Sequence, residues 1–195
     1  MSCRKGTGGV SPGLKKEGLE WIKAFAIGIL LFLLIRTFLF SSYEVEGKSM
    51  VPTLQDGDKL IVSKIGYTIG EIDRLDVIVF HATETEDYVK RVIGLPGDSI
   101  RYENDQLFVN DQPIPEPFLD ESKGQWDVGT FTGDFTLEGL ESTNAQTVPE
   151  GKIFVLGDNR LGSRDSRHFG FVDIDEVVGQ VSLRFWPFKE ITVSF

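Results

Sequence analysis

The chain has 195 residues, a formal net charge of −10 and a single cysteine, Cys3. Its length allows one membrane segment and one domain of ordinary size, or two small lobes around a shared core, and its acidity disfavours a nucleic-acid-binding protein, which needs a clustered basic surface. One cysteine excludes an intrachain disulfide, and two histidines give no repeated His/Cys spacing, so we expect neither a metal site nor a bound cofactor.

The N-terminal part of the chain changes character near residue 20. Residues 1–16 are rich in Gly, Lys and Arg and have no apolar period, which predicts a disordered tail. Residues 21–40 read WIKAFAIGILLFLLIRTFLF, and about 20 residues at roughly 1.5 Å per residue span the roughly 30 Å hydrocarbon layer of a bilayer. We therefore predict one transmembrane helix over residues 21–40, after a cytoplasmic tail of residues 1–20.

Basic residues at the start of the chain predict the orientation of this helix. They are Arg4, Lys5, Lys15, Lys16 and Lys23. The positive-inside rule places the N-terminus in the cytoplasm and the residues from about 42 onward on the other side of the membrane. A cleavable secretory signal peptide is the alternative, but this apolar stretch is longer than the usual ~7 to 15 residues, and SSYEVEG after it offers no A-x-A cleavage site.

Short β-branched and aromatic runs separated by turn residues follow the apolar stretch. In chain order they are KLIVSKI, DVIVF, YVKRVIG, QLFVN, KIFVLG, VVGQVSLRFW and ITVSF. Few windows keep a helical period, so we expect a mostly β fold, an antiparallel sheet that closes partly into a barrel, built from residues 41–112 and 150–195. Residues 113–149 are acidic and have weaker strand signals, which predicts a small second β lobe or an insertion.

Three polar segments interrupt the strand pattern: EGKSMVPTLQDGD around Ser49, YVKRVIGLPGD around Lys90, and GDNRLGSRDSRHFG over residues 157–170. Ser49 lies just after Gly47 and before Met-Val-Pro, a context that projects a hydroxyl from a turn, although most turn serines bond only to local backbone. Strand alternation puts Lys90 on the same face as Tyr88. Burial on that face lowers the pKa of a lysine and leaves it neutral at about pH 7 to 8, as a general base requires, whereas a lysine at an edge strand reaches out to solvent.

Together, these segments carry a resemblance to a known family. SMVPTL, YVKRVIGLPGD and GDNRLGSRDSR resemble the serine, lysine and C-terminal boxes of bacterial type I signal peptidases, in the same order and after the same kind of N-terminal anchor. The resemblance runs from about residue 20 to about residue 188, and the short length and single membrane segment are similar to the forms of Gram-positive bacteria.

The resemblance implies a serine endopeptidase that is anchored in the bacterial cell membrane by one pass, with its catalytic domain outside the cytoplasm. Such an enzyme removes N-terminal signal peptides from exported preproteins and cleaves after small residues at positions −1 and −3, the A-x-A pattern. The implied partners are these preproteins and the lipid bilayer.

The resemblance also implies roles for individual residues. Ser49 would attack the scissile carbonyl, Lys90 would act as the general base, and Ser163 would hydrogen-bond to the lysine amine and orient it. The residues that would support the site are Ser163, Asp158, Asn159, Asp165, Ser166 and Arg167, with Asp165 paired to Arg167. The residues that would line shallow apolar substrate pockets are Tyr43, Val45, Met50, Leu54, Tyr88 and Val89. For Val45 and Leu54 an ordinary place in the core fits equally well.

Two positions depart from the family's pattern. Gly47 stands where one branch has a serine whose hydroxyl helps to stabilise the oxyanion, which leaves the backbone N–H of Ser49 as a candidate donor and a second donor unassigned. Leu75 stands where relatives often have a glycine before an Asp-Val strand.

Other classes of protein fit the same residues less well. His168 lies near Asp165 and suits a Ser-His-Asp hydrolase, but no serine has a G-x-S-x-G context, and replacement of Lys90 would separate the two mechanisms. GKS at residues 47–49 is not a phosphate loop, because the loop's first glycine is missing and Pro52 blocks the helix that must follow. An inactive, membrane-tethered relative that binds precursors without cutting them, and a self-cleaving repressor-type Ser-Lys protease, are the remaining alternatives.

Overall fold

The structure, a computed structural model, describes residues 12–64, 72–120, 130–193 and 195. The chain divides into two compact units, Met1–Leu39 and Phe40–Phe195. The described part of the first unit is a helix, and the described strands all belong to the second unit. This division follows the change from an apolar stretch to short strand-like runs in the sequence.

Helix α1 (Pro12–Leu39) begins inside the predicted tail. The prediction of disorder is therefore wrong for residues 12–16, while residues 1–11 lie outside the described chain. Proline suits the first turn of a helix, and the Leu, Lys and Glu residues that follow it are strong helix formers, which explains the early start. The helix ends at Leu39, one residue before the predicted end, because Phe40 begins the first strand.

The middle of α1 carries large apolar side chains that are exposed in the structure, among them Trp21, Phe25 and Phe32. Within the described residues, no helix combines the length and the hydropathy that a membrane crossing requires. The side chains of residues 34–38, which belong to the predicted transmembrane stretch, lie outside the description.

The second unit is built from short strands. In chain order they are β1 (Phe40–Glu44), β2 (Lys59–Ser63), β3 (Val77–His81), β4 (Asp87–Gly94), β5 (Ile100–Glu103), β6 (Gln106–Val109), β7 (Gln112–Ile114), β8 (Phe135–Thr136), β9 (Lys152–Leu156), β10 (Val172–Asp173) and β11 (Val177–Trp186). A four-residue helix, α2 (Ser166–Phe169), lies between β9 and β10. Short 3₁₀ turns occupy Pro117–Leu119, Ile174–Glu176 and Phe188–Glu190.

The strands form two antiparallel sheets, a large one in the order β1-β2-β11-β3-β4-β9-β10 and a small one in the order β7-β6-β5-β8. The long strand β11 pairs with β2 and with β3, and its register shifts near Val181 and Arg184. Such bulges bend a strand and increase its twist, so the large sheet curls into a half-barrel. The predicted mostly β fold with a second small sheet is confirmed. The small sheet begins at Ile100, before the predicted start of the small lobe at residue 113.

The central strands of the large sheet are buried on both faces because their alternate side chains enter different cores. The first core contains Val45, Met50, Leu54, Leu60, Val62, Val77, Val79 and Val181, and the second contains Ile78, Phe80, Val92, Ile153, Val155 and Val172. Burying one Val, Leu, Ile, Phe or Met side chain completely stabilises the folded state by about 1.5 to 3 kcal/mol relative to leaving it exposed. Strand β3 supplies both cores and pairs with β4 from Val77↔Arg91 to His81↔Asp87, which fixes β4 in place.

The predicted strands are confirmed except for the last. Residues 191–195 contribute only a bridge between Thr192 and Arg184 within the described chain. Ile191 and Val193 are 56 % and 75 % exposed, so these β-branched residues have no packed face to hold them in a strand. Strand β1 went unpredicted because its FSSYE sequence is half polar, yet it pairs with β2 along its whole length.

Leu75 adopts a left-handed backbone conformation with φ of 75°. Glycine takes this conformation without a steric penalty, whereas leucine carries one here. The Leu75 N–H donates to the Val92 carbonyl at 2.8 Å, and the Leu75 carbonyl accepts from Arg91 Nη1 at 2.8 Å. These bonds fasten the turn before β3 to strand β4.

Candidate active site

Ser49 lies in the turn that follows β1 and leads to β2. Gly47 opens this turn with φ of 89° and donates its N–H to Asp56 Oδ1 at 2.7 Å. Asn159 holds the turn from the other side. Its N–H donates to the Ser49 carbonyl at 3.0 Å and its Nδ2 donates to the Lys48 carbonyl at 3.0 Å. The first and third polar segments of the sequence therefore meet at the Ser49 backbone.

Lys90 lies in β4, and only 3 % of it is exposed. Its Nζ donates one hydrogen bond to Ser49 Oγ at 2.8 Å and another to the Val89 carbonyl at 2.9 Å. The ring centroid of Tyr88 lies 5.2 Å from the same nitrogen. The fold thus brings together the serine and the lysine that the sequence singled out, although they are 41 positions apart.

Burial lowers the pKa of Lys90 from 10.5 to about 8. The carboxylates of Asp165 and Asp158 act in the opposite direction, because nearby negative charge favours the ammonium form, but burial has the larger effect. A pKa of about 8 keeps an appreciable fraction of the amine neutral at physiological pH. The neutral amine is the form that accepts a proton from a hydroxyl.

Ser163 is buried near this pair but does not bond to the lysine. Among the described residues, its Oγ has no hydrogen-bond partner. The predicted hydrogen bond between Ser163 and Lys90 is therefore absent from the described structure, because the amine turns instead to the Ser49 hydroxyl and to a carbonyl of its own strand. Gly157 separates Ser163 from the Ser49 turn, since a Cβ at residue 157 would meet the Ser163 hydroxyl and the Ser49 carbonyl.

Asp158 is fully buried and forms a two-pronged ion pair with Arg91, a residue that the sequence analysis missed. Arg91 Nε donates to Asp158 Oδ1 at 2.9 Å, and Arg91 Nη2 donates to Oδ2 at 2.6 Å. Thr53 Oγ1 also donates to Oδ2 at 2.5 Å, and the Phe118 ring centroid lies 3.8 Å from the guanidinium carbon. Because Arg91 follows Lys90 in β4, this pair locks the third polar segment to the strand that carries the lysine.

A second ion pair shapes the chain just before α2. Arg167 Nε and Nη2 donate to the Asp165 carboxylate at 2.9 and 2.8 Å, and Asp165 Oδ2 also accepts the Gly157 N–H at 3.1 Å. Ser166 Oγ accepts the N–H of Val155 at 3.0 Å. Asp165 and Ser166 are completely buried, and together these bonds attach the segment to β9 and its following turn.

A buried polar cluster lies beneath the same segment and has no signature in the sequence. Arg160 Nη2 donates to Glu116 Oε1 at 2.5 Å, Nη1 donates to the Tyr102 hydroxyl at 2.8 Å, and Nε donates to the Gly157 carbonyl at 3.1 Å. The Tyr102 hydroxyl donates to the same Glu116 oxygen at 2.7 Å, and burial raises the pKa of Tyr102 well above its ordinary value. This cluster ties the small sheet to the segment around Gly157.

An open cleft of about 860 Å³ lies beside the Ser49–Lys90 pair, between the turn after β1 and the β3–β4 hairpin. The predicted substrate-pocket residues that line it are Tyr43, Val45, Met50, Tyr88 and Val89. The structure places Leu54 elsewhere, completely buried in the first core. Its N–H bonds to the Met50 carbonyl at 2.9 Å, and this turn directs the leucine inward, away from the cleft.

His168 does not complete a Ser-His-Asp arrangement. Its Nδ1 lies 3.9 Å from Asp165 Oδ1, its side chain is 57 % exposed, and no serine hydroxyl in the described chain is hydrogen-bonded to it. The described residues also contain no group of three or more His, Cys, Asp or Glu side chains placed to hold a metal ion.

A hydroxyl bonded to a buried lysine amine of lowered pKa, at the side of an open cleft, is an arrangement that suits nucleophilic catalysis by a serine hydrolase. The family model described as signal peptidase, peptidase S26, matches residues 18–186. The chain is 54 % identical over 181 residues to a signal peptidase I of Bacillus caldolyticus, which covers 93 % of this chain and 97 % of that protein. The chain belongs to the signal peptidase family, peptidase S26.

Two further comparisons agree with this assignment. A signal peptidase IB of Staphylococcus aureus (strain MRSA252) is 44 % identical over 184 residues, covering 93 % of this chain and 96 % of that protein. The crystal structure of a signal peptidase I from Enterococcus faecalis V583 matches with a TM-score of 0.56 and 43 % identity, over 58 % of this chain and 98 % of that one. The resemblance to type I signal peptidases and the prediction of a serine endopeptidase are confirmed.

The close packing at Gly157 leads to a first testable expectation. Gly157→Ala would push the Ser163 hydroxyl and the Ser49 carbonyl apart, so we expect preprotein cleavage to fall at least about tenfold and the free energy of unfolding to fall by about 1 to 3 kcal/mol. Gly139→Ala is the matched control, because its added Cβ lies 3.2 Å from Thr136 Oγ1 in an exposed turn. Cleavage assays and urea titrations of both variants measure the effect. Parent-like cleavage by Gly157→Ala would contradict the role of this packing.

Proposed function

We propose that the chain is a membrane-bound endopeptidase that removes N-terminal signal peptides after small residues at −1 and −3, with Ser49 as nucleophile and Lys90 as general base. The observation that carries this proposal is the 2.8 Å hydrogen bond between Lys90 Nζ and Ser49 Oγ. Family membership supports the removal of signal peptides by a serine protease. The remaining features of the site support the individual steps.

The proposed chemistry needs only the two side chains and a water molecule. Neutral Lys90 accepts the proton of the Ser49 hydroxyl while Oγ attacks the scissile carbonyl carbon. The tetrahedral intermediate collapses when the C–N bond breaks, and the ammonium of Lys90 returns the proton to the leaving amine. The neutral amine then takes a proton from a water molecule while the water oxygen attacks the acyl-enzyme carbonyl. When the ester bond to Ser49 breaks, the ammonium returns this proton to Oγ and restores the Ser49 hydroxyl. Burial of Lys90 supports both directions of proton transfer, since it brings the amine's pKa to about 8.

One edge of β4 has no strand partner over residues 87–90 within the described chain, and this free edge supports binding of an extended peptide. Residues Asp87–Lys90 pair with β3 on one side, whereas pairing with β9 on the other side begins only at Arg91. A peptide in the cleft can therefore add to the sheet through main-chain hydrogen bonds, which do not depend on its sequence. Val45, Met50 and Val89 line this part of the cleft with apolar surface, which suits the small side chains at −1 and −3.

The supporting residues act by position. Asp158 and Asn159 fix the third polar segment to β4 and to the Ser49 turn, and Asp165, Ser166 and Arg167 fix it to β9. Ser163 lies on this segment, so these bonds hold its side chain near Ser49 and Lys90. The Ser49 N–H serves as an oxyanion donor in this proposal, and Gly47 supplies no hydroxyl there.

The composition of residues 1–40 supports a proposal for the location of the enzyme. We infer that residues 21–40 form a single transmembrane anchor in the bacterial cell membrane, with the N-terminus in the cytoplasm and the β domain outside. The length and apolarity of this stretch, and the basic residues that precede its apolar centre, support the inference.

Cleavage of a defined precursor tests the proposal. The full chain is purified in detergent and mixed with a precursor that carries one A-x-A site, with Ser49→Ala as the control for contaminating protease, and mass spectrometry locates the cut. We expect the parent to cut after the second alanine and Ser49→Ala to leave the precursor intact. A cut at another bond, equal cutting by the variant, or a parent that binds the precursor without cutting it would refute the proposal.

The pH dependence of the same reaction tests the role of Lys90. Because the deprotonated amine is the reactive form, kcat/KM should rise with pH through an apparent pKa of about 8 and level off above it. A series of initial rates at low precursor concentration between pH 6 and pH 10 measures this profile. A profile that is flat across this range would exclude the lysine as the base.

A further inference from the structure

A second cavity, of about 720 Å³, adjoins the active-site cleft, and we refer to it as the side cavity. Its aromatic wall is formed by Phe80, Tyr88 and Phe169, whose ring centroids lie 6.2 to 6.4 Å apart. The residues that line both the side cavity and the cleft are His81, Glu84, Glu86, Tyr88 and Arg164. A peptide bound in the cleft can therefore reach the side cavity directly.

Strand β4 determines which substrate side chain would enter the side cavity. Val89 packs against the first core, whereas Tyr88 packs against Phe80 and Phe169 in the second. A peptide added to the free edge of β4 alternates in the same way. If the side chains at −1 and −3 share the Val89 face, the side chain at −2 lies on the Tyr88 face, next to the side cavity.

The charges of the side cavity are unbalanced. Glu84, Glu86 and Glu176 line it, and none of them forms an ion pair with another residue in the described parts of the chain. Asp173 also lines it, but its carboxylate is already paired with a lysine of β9 at 2.6 Å. Arg164 is the one arginine or lysine among its described lining residues, and His81, which also lines it, is paired with Asp87 at 2.6 Å. Three carboxylates against one guanidinium leave a net negative site that complements a cation.

We propose that the side cavity binds the side chain at position −2 of the preprotein and favours a long basic residue, lysine or arginine. This inference rests on the proposed function and adds a preference at a position that the A-x-A pattern leaves open. The hydrocarbon stem of such a side chain lies along the aromatic wall, and its charged end reaches the carboxylates of Glu84, Glu86 and Glu176. A glutamate at −2 would meet like charge in the same place.

The test compares precursors that differ only at −2. The full chain in detergent cuts precursors with A-K-A, A-Q-A, A-A-A and A-E-A sites in pairwise competition, which gives the ratio of their kcat/KM values. We expect A-K-A to be cut about fivefold to tenfold faster than A-E-A at low ionic strength, with A-Q-A between them, because exposed ion pairs contribute modestly. The ratio should shrink as salt is added.

Two triple variants that remove the same charge at different places test whether the preference at −2 comes from the side cavity. Glu84→Gln/Glu86→Gln/Glu176→Gln should bring the A-K-A to A-E-A ratio close to one. Glu138→Gln/Glu141→Gln/Glu150→Gln removes the same charge from residues that line neither the cleft nor the side cavity, and should keep the parent ratio. Equal cutting of A-K-A and A-E-A by the parent, or the same loss of preference in both triple variants, would overturn the inference.

The A-A-A precursor separates the two levels of the proposal. If the parent cuts it at the expected bond and Ser49→Ala does not, the proposed function stands, and an absent preference at −2 removes only the assignment of the side cavity. If the parent leaves it intact, both the proposed function and the inference fail.

Discussion

Replacing Lys90 with methionine is expected to lower kcat/KM by about 10³-fold to 10⁴-fold, because a positioned general base contributes rate factors of about this size. Methionine has a similar length and no amine, so the cleft keeps its shape while Ser49 loses its proton acceptor. Lys59→Met is the matched control, since Lys59 is a half-buried lysine of β2 whose side chain is 45 % exposed and whose partner is Glu44 at 3.5 Å. Cleavage by Lys90→Met within tenfold of the parent would exclude the proposed mechanism.

The same variant is expected to be more stable than the parent at neutral pH. Lowering the pKa of Lys90 from 10.5 to about 8 costs the folded state about 3 kcal/mol at pH 7. Between about pH 8 and 10.5 the unfolded chain binds the proton and the folded chain does not, so the free energy of unfolding of the parent rises with pH in this window. Below pH 8 both states are protonated, and the full cost remains.

Urea titrations of the full chain in detergent at pH 7 and pH 10.5 measure this difference. The gap between Lys90→Met and the parent should be largest at pH 7 and should close at pH 10.5, because the other titrating groups are common to both proteins. Lys59→Met should show no such gap. A Lys90→Met variant that is less stable than the parent at pH 7 would contradict a buried, destabilised ammonium.

Asp158→Ala is expected to lower the free energy of unfolding by about 3 to 5 kcal/mol, because it leaves the buried guanidinium of Arg91 without its counter-charge. The side chains of Arg91 and Asp158 are 1 % and 0 % exposed, so water cannot replace the lost partner. Arg91→Met/Asp158→Leu removes both charges and should recover most of the lost stability. Urea titrations of the three proteins test this order, and a double variant as unstable as the single one would contradict it.

Asp158→Ala should also move the pH profile of cleavage. The Asp158 carboxylate raises the pKa of Lys90, in opposition to burial, so its removal should shift the midpoint of the kcat/KM profile to a pH below about 8. This readout separates an electrostatic effect on the amine from a loss of folded protein, which lowers the rates without moving the midpoint. An unchanged midpoint would show that the carboxylate does not act on Lys90.

The pairing of Ser49 with Lys90 could be predicted because each residue has a local signature. Alternation in YVKRVIG predicts that the lysine shares a buried face with Tyr88, and the SMVPTL context predicts a hydroxyl in a turn. The strands β2, β3, β4, β6, β9 and β11 could be predicted for a similar reason, since β-branched runs report burial of neighbouring residues. These features depend on residues close together in the chain.

The buried ion pairs could not be predicted in this way. Arg91 and Asp158 are 67 positions apart, and Arg160 and Glu116 are 44 apart. Charged residues usually lie at the surface, so the sequence alone suggests solvated positions for all four. Only the packing of the third polar segment between β4, β9 and the small sheet brings each cation to its carboxylate. Arg91 itself could have indicated one of these pairs. It follows Lys90 in a strand that is buried on both faces, and a buried cation needs a partner of opposite charge.

The orientation of the Ser163 hydroxyl could not be predicted for a different reason. Its hydroxyl lies on the correct segment and is buried, but the orientation of a side chain over the last few ångströms depends on how neighbouring groups compete for the same amine. Here the Ser49 hydroxyl and the Val89 carbonyl accept the two described hydrogen bonds of Lys90. The sequence predicts that these residues lie close together, but it does not predict which groups accept the hydrogen bonds of the amine.

The free edge of β4 is also the place where a second copy of the chain would add to the sheet. Exposed strand edges promote such self-pairing, and proteins prevent it with charged side chains at the edge. Glu84 and Glu86 lie in the turn between β3 and β4, and Asp87, which is paired with His81 at 2.6 Å, begins β4, so two copies that approach edge to edge bring acidic residues from each side together. We therefore expect these carboxylates to disfavour edge-to-edge pairing of two copies, which would keep the edge open for the peptide binding proposed above.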